Sequence, residues 1–365
     1  MFGARSGRWS TARALVAVAL GGAFVVAGAA PAGAHGLAGT QPTNFASRVL
    51  SVTPAVPGLQ VTVRDLGARL EVRNRTPYDV VVLGYSGEPY LRVGPRGVYE
   101  NRRSPAVFLD RSSTVVAKVP SSYDALAPPE WHRTGSGTVV SWHDHRVHWM
   151  GAAPPPAVSE SPGRTHLISP WLVTLRYRGH DIAVRGDLRW VPGPSAAPRL
   201  LLALLAALIV GGAGFTRRWG DVLALTLLVV SACVIALIGG EWSATTSGAW
   251  TAFLSTAYSI LGVAIALAAA GATLRSRRAP YEASALVLVA AVILTFGSGL
   301  ADITFLDRSQ LPTTLPGTVA RTLIAVVLGA SSGMLVTAAR KLRRPALATP
   351  APTAPPAASA APTAS

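Results

Sequence analysis

The sequence predicts an all-β extracytoplasmic sandwich followed by an α-helical membrane bundle. Three observations predict it. Half of the 365 residues are hydrophobic while only 14% are charged, against about a quarter charged in a typical soluble domain. The apolar residues are unevenly spread, with five long runs crowded into residues 197–340. The preceding stretch is instead short-patterned, alternating and rich in turn residues.

Residues 1–34 read as a secretory signal peptide. Arg5, Arg8 and Arg13 begin it, residues 14–30 are apolar, and Ala32-Gly33-Ala34 supplies a small-residue cleavage pattern. Cleavage after Ala34 makes His35 the N-terminal residue; without cleavage the segment would stay as an anchor helix.

Residues 35–196 form the extracytoplasmic domain. Strands are expected over 59–63, 70–73, 79–83, 90–93, 138–142, 171–177 and 181–190, punctuated by breakers such as Asp65-Leu66-Gly67 and Gly94-Pro95. Many short strands at this spacing imply an antiparallel sandwich of the immunoglobulin or cupredoxin-like kind. No segment here carries a helical period, and residues 151–165 read as a long loop. About 160 residues can bury a core without disulfides. The one cysteine, Cys233, lies outside the domain in an apolar run, so neither a disulfide framework nor a thiolate cluster is expected.

Residues 197–340 form a five-helix transmembrane domain, with apolar runs near 197–215, 221–240, 250–273, 283–305 and 318–339. Each has about the 17–25 residues needed to cross a bilayer core. Arg217 and Arg218, then Arg275, Arg277 and Arg278, then Arg340, Lys341, Arg343 and Arg344 fall in alternate connections. The intervening loops hold Glu241, Asp302 and Asp307, with Arg308 their one base. Basic connections stay in the cytoplasm, which places the protein in the plasma membrane with its N-terminal domain outside and its C-terminus inside. Arg321, one turn into the fifth run, is expected to pair with Asp302 or Asp307 or to snorkel to the interface. The small residues of 329–333 offer a helix-packing face. Residues 341–365 form a disordered Ala/Pro-rich cytoplasmic tail.

The formal net charge is +16. Residues 35–197 contribute 18 basic and 12 acidic side chains, and the remaining basic excess flanks apolar runs. The expected partner of that charge is the lipid bilayer, and nucleic acid is not expected.

All seven histidines lie in the extracytoplasmic domain. His132, His166 and His180 stand alone and read as ordinary surface or core residues. Three others fall in Trp142-His143-Asp144-His145-Arg146-Val147-His148-Trp149-Met150. On a strand His143 and His145 point the same way, with room for one metal between them. His148 has the opposite phase unless a turn intervenes, and Met150 adds a soft thioether; both are secondary ligand candidates. Imidazole suits copper, zinc and nickel, and thioether favours Cu(I). Asp144 reads as a structural hydrogen-bond acceptor or a group orienting an imidazole. A cleaved N-terminal His35 offers an imidazole and an α-amino group to the same ion.

A signal ending directly before His35, a β-sandwich and a His143-x-His145 strand together resemble the histidine-brace copper proteins. These include the copper domain of the particulate methane and ammonia monooxygenase B subunit and the CopC-type periplasmic copper-resistance proteins. The resemblance is local, covering 10–20 residues and the architecture. It implies copper held by His35, His143 and His145, with zinc as the alternative ion. Five helices after one outer domain depart from the monooxygenase pattern. No Ser/His/Asp arrangement, phosphate loop or carboxylate pair points to an enzyme. The leading expectation is a membrane-anchored extracytoplasmic copper-binding protein that holds or delivers copper, working with another envelope or copper-handling protein. A structural or interaction protein of the envelope and a component of a membrane copper oxidase complex are the rival readings.

Overall fold

The computed structural model describes residues 40–111, 118–151, 153–245, 248–275 and 280–342, the last without the side chains of 280 and 281. The expected signal peptide, with His35 just after it, and the tail beyond 342 lie outside the described residues.

Ten strands build the N-terminal half: β1 (Phe45–Thr53), β2 (Leu59–Arg64), β3 (Arg69–Asn74), β4 (Val80–Leu83), β5 (Pro89–Gly94), β6 (Gly97–Asn101), β7 (Trp131–Gly135), β8 (Val139–His143), β9 (His166–Tyr177) and β10 (His180–Trp190). Seven pair in the order β1-β10-β9-β4-β5-β6-β7, and three form a smaller sheet, β2-β3-β8. The named pairings are all antiparallel. Alternation explains the core. Leu70 and Val72, Val80 and Val82, Leu91 and Val93, Val173 and Leu175, and Ile182 and Val184 point inward and are buried. With Trp142 of β8 they form one cluster shared by both sheets, each such side chain contributing about 1.5–3 kcal/mol by burial. Antiparallel pairing and a two-sheet core are what the structure shares with the expected immunoglobulin or cupredoxin-like sandwich.

Three strands were not expected. β1 carries Arg48, Ser51 and a 57% exposed Leu50, so its sequence lacks an apolar alternation; its eight-pair register with β10 makes it a strand. β6 and β7 likewise lack a clear apolar alternation and are strands through their ladders with β5 and with each other. The expectation of no helix is corrected by two single turns, α1 (Pro105–Leu109) and α2 (Pro156–Glu160), each too short to show a period. α1 is set by Pro105 at its first position and by Ser104, whose hydroxyl accepts from the Ala106 N–H.

The second half comprises α3 (Ala197–Ala213), α4 (Trp219–Ala244), α5 (Ala249–Arg275), α6 (Pro280–Leu294), continued by a π-type turn (Thr295–Leu300) and a 3-10 turn (Ile303–Leu306), and α7 (Gly317–Leu342). Four segments are long and apolar enough to cross a membrane: α4, α5, Glu282–Leu300 and α7. Against the five expected spans, the first apolar run forms a helix of only 17 residues, roughly 26 Å against a core of about 30 Å. It ends where Gly214 and a turn to Thr216 stop it.

The small-residue face expected on α7 is in place. A Cβ on Gly329 would sit 2.1 Å from the Ala203 carbonyl oxygen, and one on Gly333 2.6 Å from that of Ala207. α3 therefore lies backbone-close on α7, and the Thr337 hydroxyl donates to the Val210 carbonyl at 3.0 Å. Arg321 neither pairs nor snorkels. It is 7% exposed, with Nε donating to the Phe305 carbonyl at 3.0 Å and Nη2 to that of Arg308 at 2.6 Å, so carbonyls freed by the 3-10 turn satisfy it.

The halves meet at one seam. Thr43 and Gln310 exchange backbone hydrogen bonds at 3.1 and 2.9 Å, and Asn44 Oδ1 accepts from the Ser309 N–H at 2.8 Å. At the far end of the bundle, the Arg340 guanidinium lies 3.7 Å over the Phe215 ring and the Lys341 ammonium 4.7 Å over Trp219.

Candidate functional site

β8 ends at His143, in register with Arg69 of β3. The His143 Nδ1 lies 2.6 Å from the Ala68 carbonyl oxygen. A carbonyl only accepts, so Nδ1 carries a hydrogen, and in the neutral form of the ring the lone pair lies on Nε2.

Beyond His143 the chain reverses. Asp144 is fully buried and accepts from the Trp142 indole at 2.9 Å, from the Arg146 backbone N–H at 3.0 Å, and from the Arg146 guanidinium at 2.9 and 2.7 Å. The Val147 N–H closes a turn onto the Asp144 carbonyl at 3.2 Å. Burial pushes the Asp144 carboxyl up, but its bonds to Arg146 outweigh that and hold it below the usual carboxylate range. This settles the role of Asp144 as a structural acceptor for an indole and a guanidinium.

The turn corrects the expected strand pair, because His145 is not on β8. It still brings the rings together: His145 centres 5.1 Å from His143, and His148 centres 5.7 Å from it. The phase objection to His148 is removed by the turn. Met150 is half-buried two residues further on. His132 belongs to β7, His180 to β10, and His166 points its Nε2 at the Ser161 carbonyl, 2.8 Å away. The rings meet edge to face, at 72° and 62°. Among the described residues, no set of three or more His, Cys, Asp and Glu side chains stands ready to hold a metal ion. His35, the remaining expected ligand, lies outside them.

No family model, curated protein or solved structure matches this chain. The functional reading of the histidine turn therefore rests on its own chemistry.

Two groups absent from the sequence reading support that turn. The Tyr85 hydroxyl accepts from the His145 N–H at 3.0 Å and donates to the Asp110 carboxylate. The Arg146 guanidinium covers the Tyr85 ring at 4.7 Å. Burial, with the Asp144 charge adding to it, pushes Asp110 up to about 7, against the stabilising bond from Tyr85. Tyr85 and Asp110 lie 60 and 35 positions before His145 and carry no local motif, so only the fold could reveal them.

The segment behind Ala68 was legible as a breaker but not as what it is. Asp65, Leu66 and Gly67 all have left-handed backbones, with φ of 49°, 56° and 101°. Left-handed backbone is strained for Asp and Leu. The segment lines a cavity of about 310 Å³ between the β domain and the ends of α4 and α5, and Thr40 is among the other lining residues. One residue, Ala68, thus separates the cavity wall from the His143 contact.

Proposed function

We propose that this is a membrane-anchored extracytoplasmic protein that holds or delivers copper at the outer face of the plasma membrane. The observation that carries the reading is the approach of the His143, His145 and His148 rings over one turn, at 5.1 and 5.7 Å between centres. Two imidazoles sharing one ion at about 2.0–2.1 Å, through a tetrahedral angle, place their ring centres roughly 5 Å apart. The Nδ1–H of His143 is held by a backbone carbonyl, which is how ligating histidines are oriented so that Nε2 faces an ion.

His143 and His145 would hold the ion, with an N-terminal His35 completing a nitrogen set that suits the tetragonal preference of Cu(II). Thr40, five residues after His35, lines the same cavity as the segment leading into Ala68. A set made of His143, His145 and His148 instead would suit tetrahedral zinc.

The orientation has support of its own. Arg340 and Lys341 gather with the 214–219 connection at one end of the bundle, while the β domain sits on the other end. We count α3 as a short fifth span, because an odd number puts the β domain and the basic C-terminal end on opposite sides. The β domain is read as a sandwich of the immunoglobulin or cupredoxin-like kind.

The test is copper competition titration of the full-length protein in detergent. Wild type should take up one Cu(II) per chain with a nitrogen-ligand spectrum. His143→Ala and His145→Ala should each weaken binding about tenfold or more, while His166→Ala and His180→Ala leave it unchanged. Affinity should drop as pH falls through about 6.5, where imidazoles take up protons. Equal binding by wild type and the double His143→Ala/His145→Ala variant would leave the envelope-interaction reading standing.

A further inference from the structure

The cavity at the seam carries charged side chains on both its β-domain side and its bundle side. On the β-domain side stand Arg64, which donates Nη2 to Glu71 at 3.0 Å, and Asp65, whose carboxylate lies 4.0 Å from the Arg69 guanidinium. On the bundle side stands Glu241, in the last turn of α4, half-buried and without an ion pair among the described residues. A carboxylate in this place needs a cation or a donor. Between the two sides lie hydroxyl groups such as those of Ser47 and Thr251, and the apolar Leu66. The volume is at the small end for a small-molecule site.

Depth selects the kind of ligand. The bundle wall is the last turn of α4 and the first turns of α5, which is the level at which a bilayer carries its headgroups. Trp242, Trp250 and Phe253 surround that level and are 42%, 69% and 39% exposed; exposed aromatics at helix ends mark the membrane interface. They leave an apolar outer surface beside the cavity for acyl chains.

We propose that this cavity binds the headgroup of a zwitterionic, primary-amine phospholipid of the phosphatidylethanolamine type, phosphate towards Arg64 and ammonium towards Glu241. The assignment is independent of the copper reading. A bound headgroup would also lie against the strained Asp65–Gly67 turn, whose following residue holds His143.

The experiment reconstitutes the full chain in bilayers of equal phosphatidylethanolamine and phosphatidylglycerol, extracts it gently and counts bound lipids by native mass spectrometry. The amine lipid should be retained over the glycerol lipid by about fivefold, equivalent to about 1 kcal/mol. Glu241→Gln should bring the ratio to parity, Glu241→Asp should keep the preference, and Arg64→Gln should lower retention of both lipids. Parity in the wild type overturns the proposal, as does an undiminished preference in Glu241→Gln. If the whole chain retains no lipid but a chain lacking residues 35–39 does, the cavity belongs to the protein's own N-terminal segment and the proposal fails.

Discussion

Asp110 shows how a single buried group ties the histidine turn to pH. Its carboxyl accepts from Tyr85, which in turn receives the His145 N–H, and it is pushed from 3.8 up to about 7. The folded protein then holds a proton that the unfolded chain has already released between those values. The contribution of this group to stability therefore falls as pH rises from about 4 to about 7, and levels off above. Asp110→Asn removes this slope. Thermal unfolding of the full chain, followed by tryptophan fluorescence, should show wild type losing more stability than Asp110→Asn between pH 5 and pH 8. Equal losses would show that Asp110 does not titrate in that window. His143 was legible at this scale because three histidines within six residues are conspicuous. Tyr85 was not, because a lone tyrosine 60 positions away carries no local signal.

At the scale of elements, the contact of α3 with α7 gives the sharpest expectation. Gly329 and Gly333 meet carbonyl oxygens of α3 at distances no Cβ tolerates. Gly333→Val should force the helices apart and cost about 1–3 kcal/mol, read as a lower midpoint of thermal unfolding in detergent. Val336→Leu, on a side chain 61% exposed, should leave the midpoint unchanged. The small-residue spacing announced this face, since close helix approach requires residues without bulk. Which helix it meets was not announced, because every helix in the bundle is apolar. The strands divide the same way. β3, β4 and β9 alternate visibly, whereas β1 and β7 are strands only because β10 and β6 offer them ladders.

For the whole molecule, the gathering of basic residues at the end away from the β domain makes a topology prediction. Reporter fusions after Arg218, Arg278 and Arg344 should signal cytoplasm, and one after Glu241 should signal the outside. An outside signal after Arg278 would remove α3 or α5 from the spans. In that predicted orientation the seam, its cavity and the histidine turn would lie together at the outer leaflet. N-terminal sequencing of the mature protein should begin at His35; a retained Met1 would leave copper to side-chain imidazoles alone.

The sequence by itself determined the division into a β domain and apolar helices, the alternation of basic connections and the concentration of histidines around β8. Each of these is a local property: a period of two, a run of apolar residues, a charge beside it, a repeated residue. Tertiary structure alone decided that His148 joins His143, that Arg321 is satisfied by carbonyls and that Arg64 and Glu241 face one cavity. These depend on burial and on partners distant in the chain. The turn after His143 closes around Asp144 because Trp142 and Arg146 saturate that carboxylate in a core to which Tyr85, from another part of the sheet, also contributes. Periodicity reports which side of a strand a residue occupies, but chain reversal around a buried charge is set by hydrogen bonds that form only when the sheets come together.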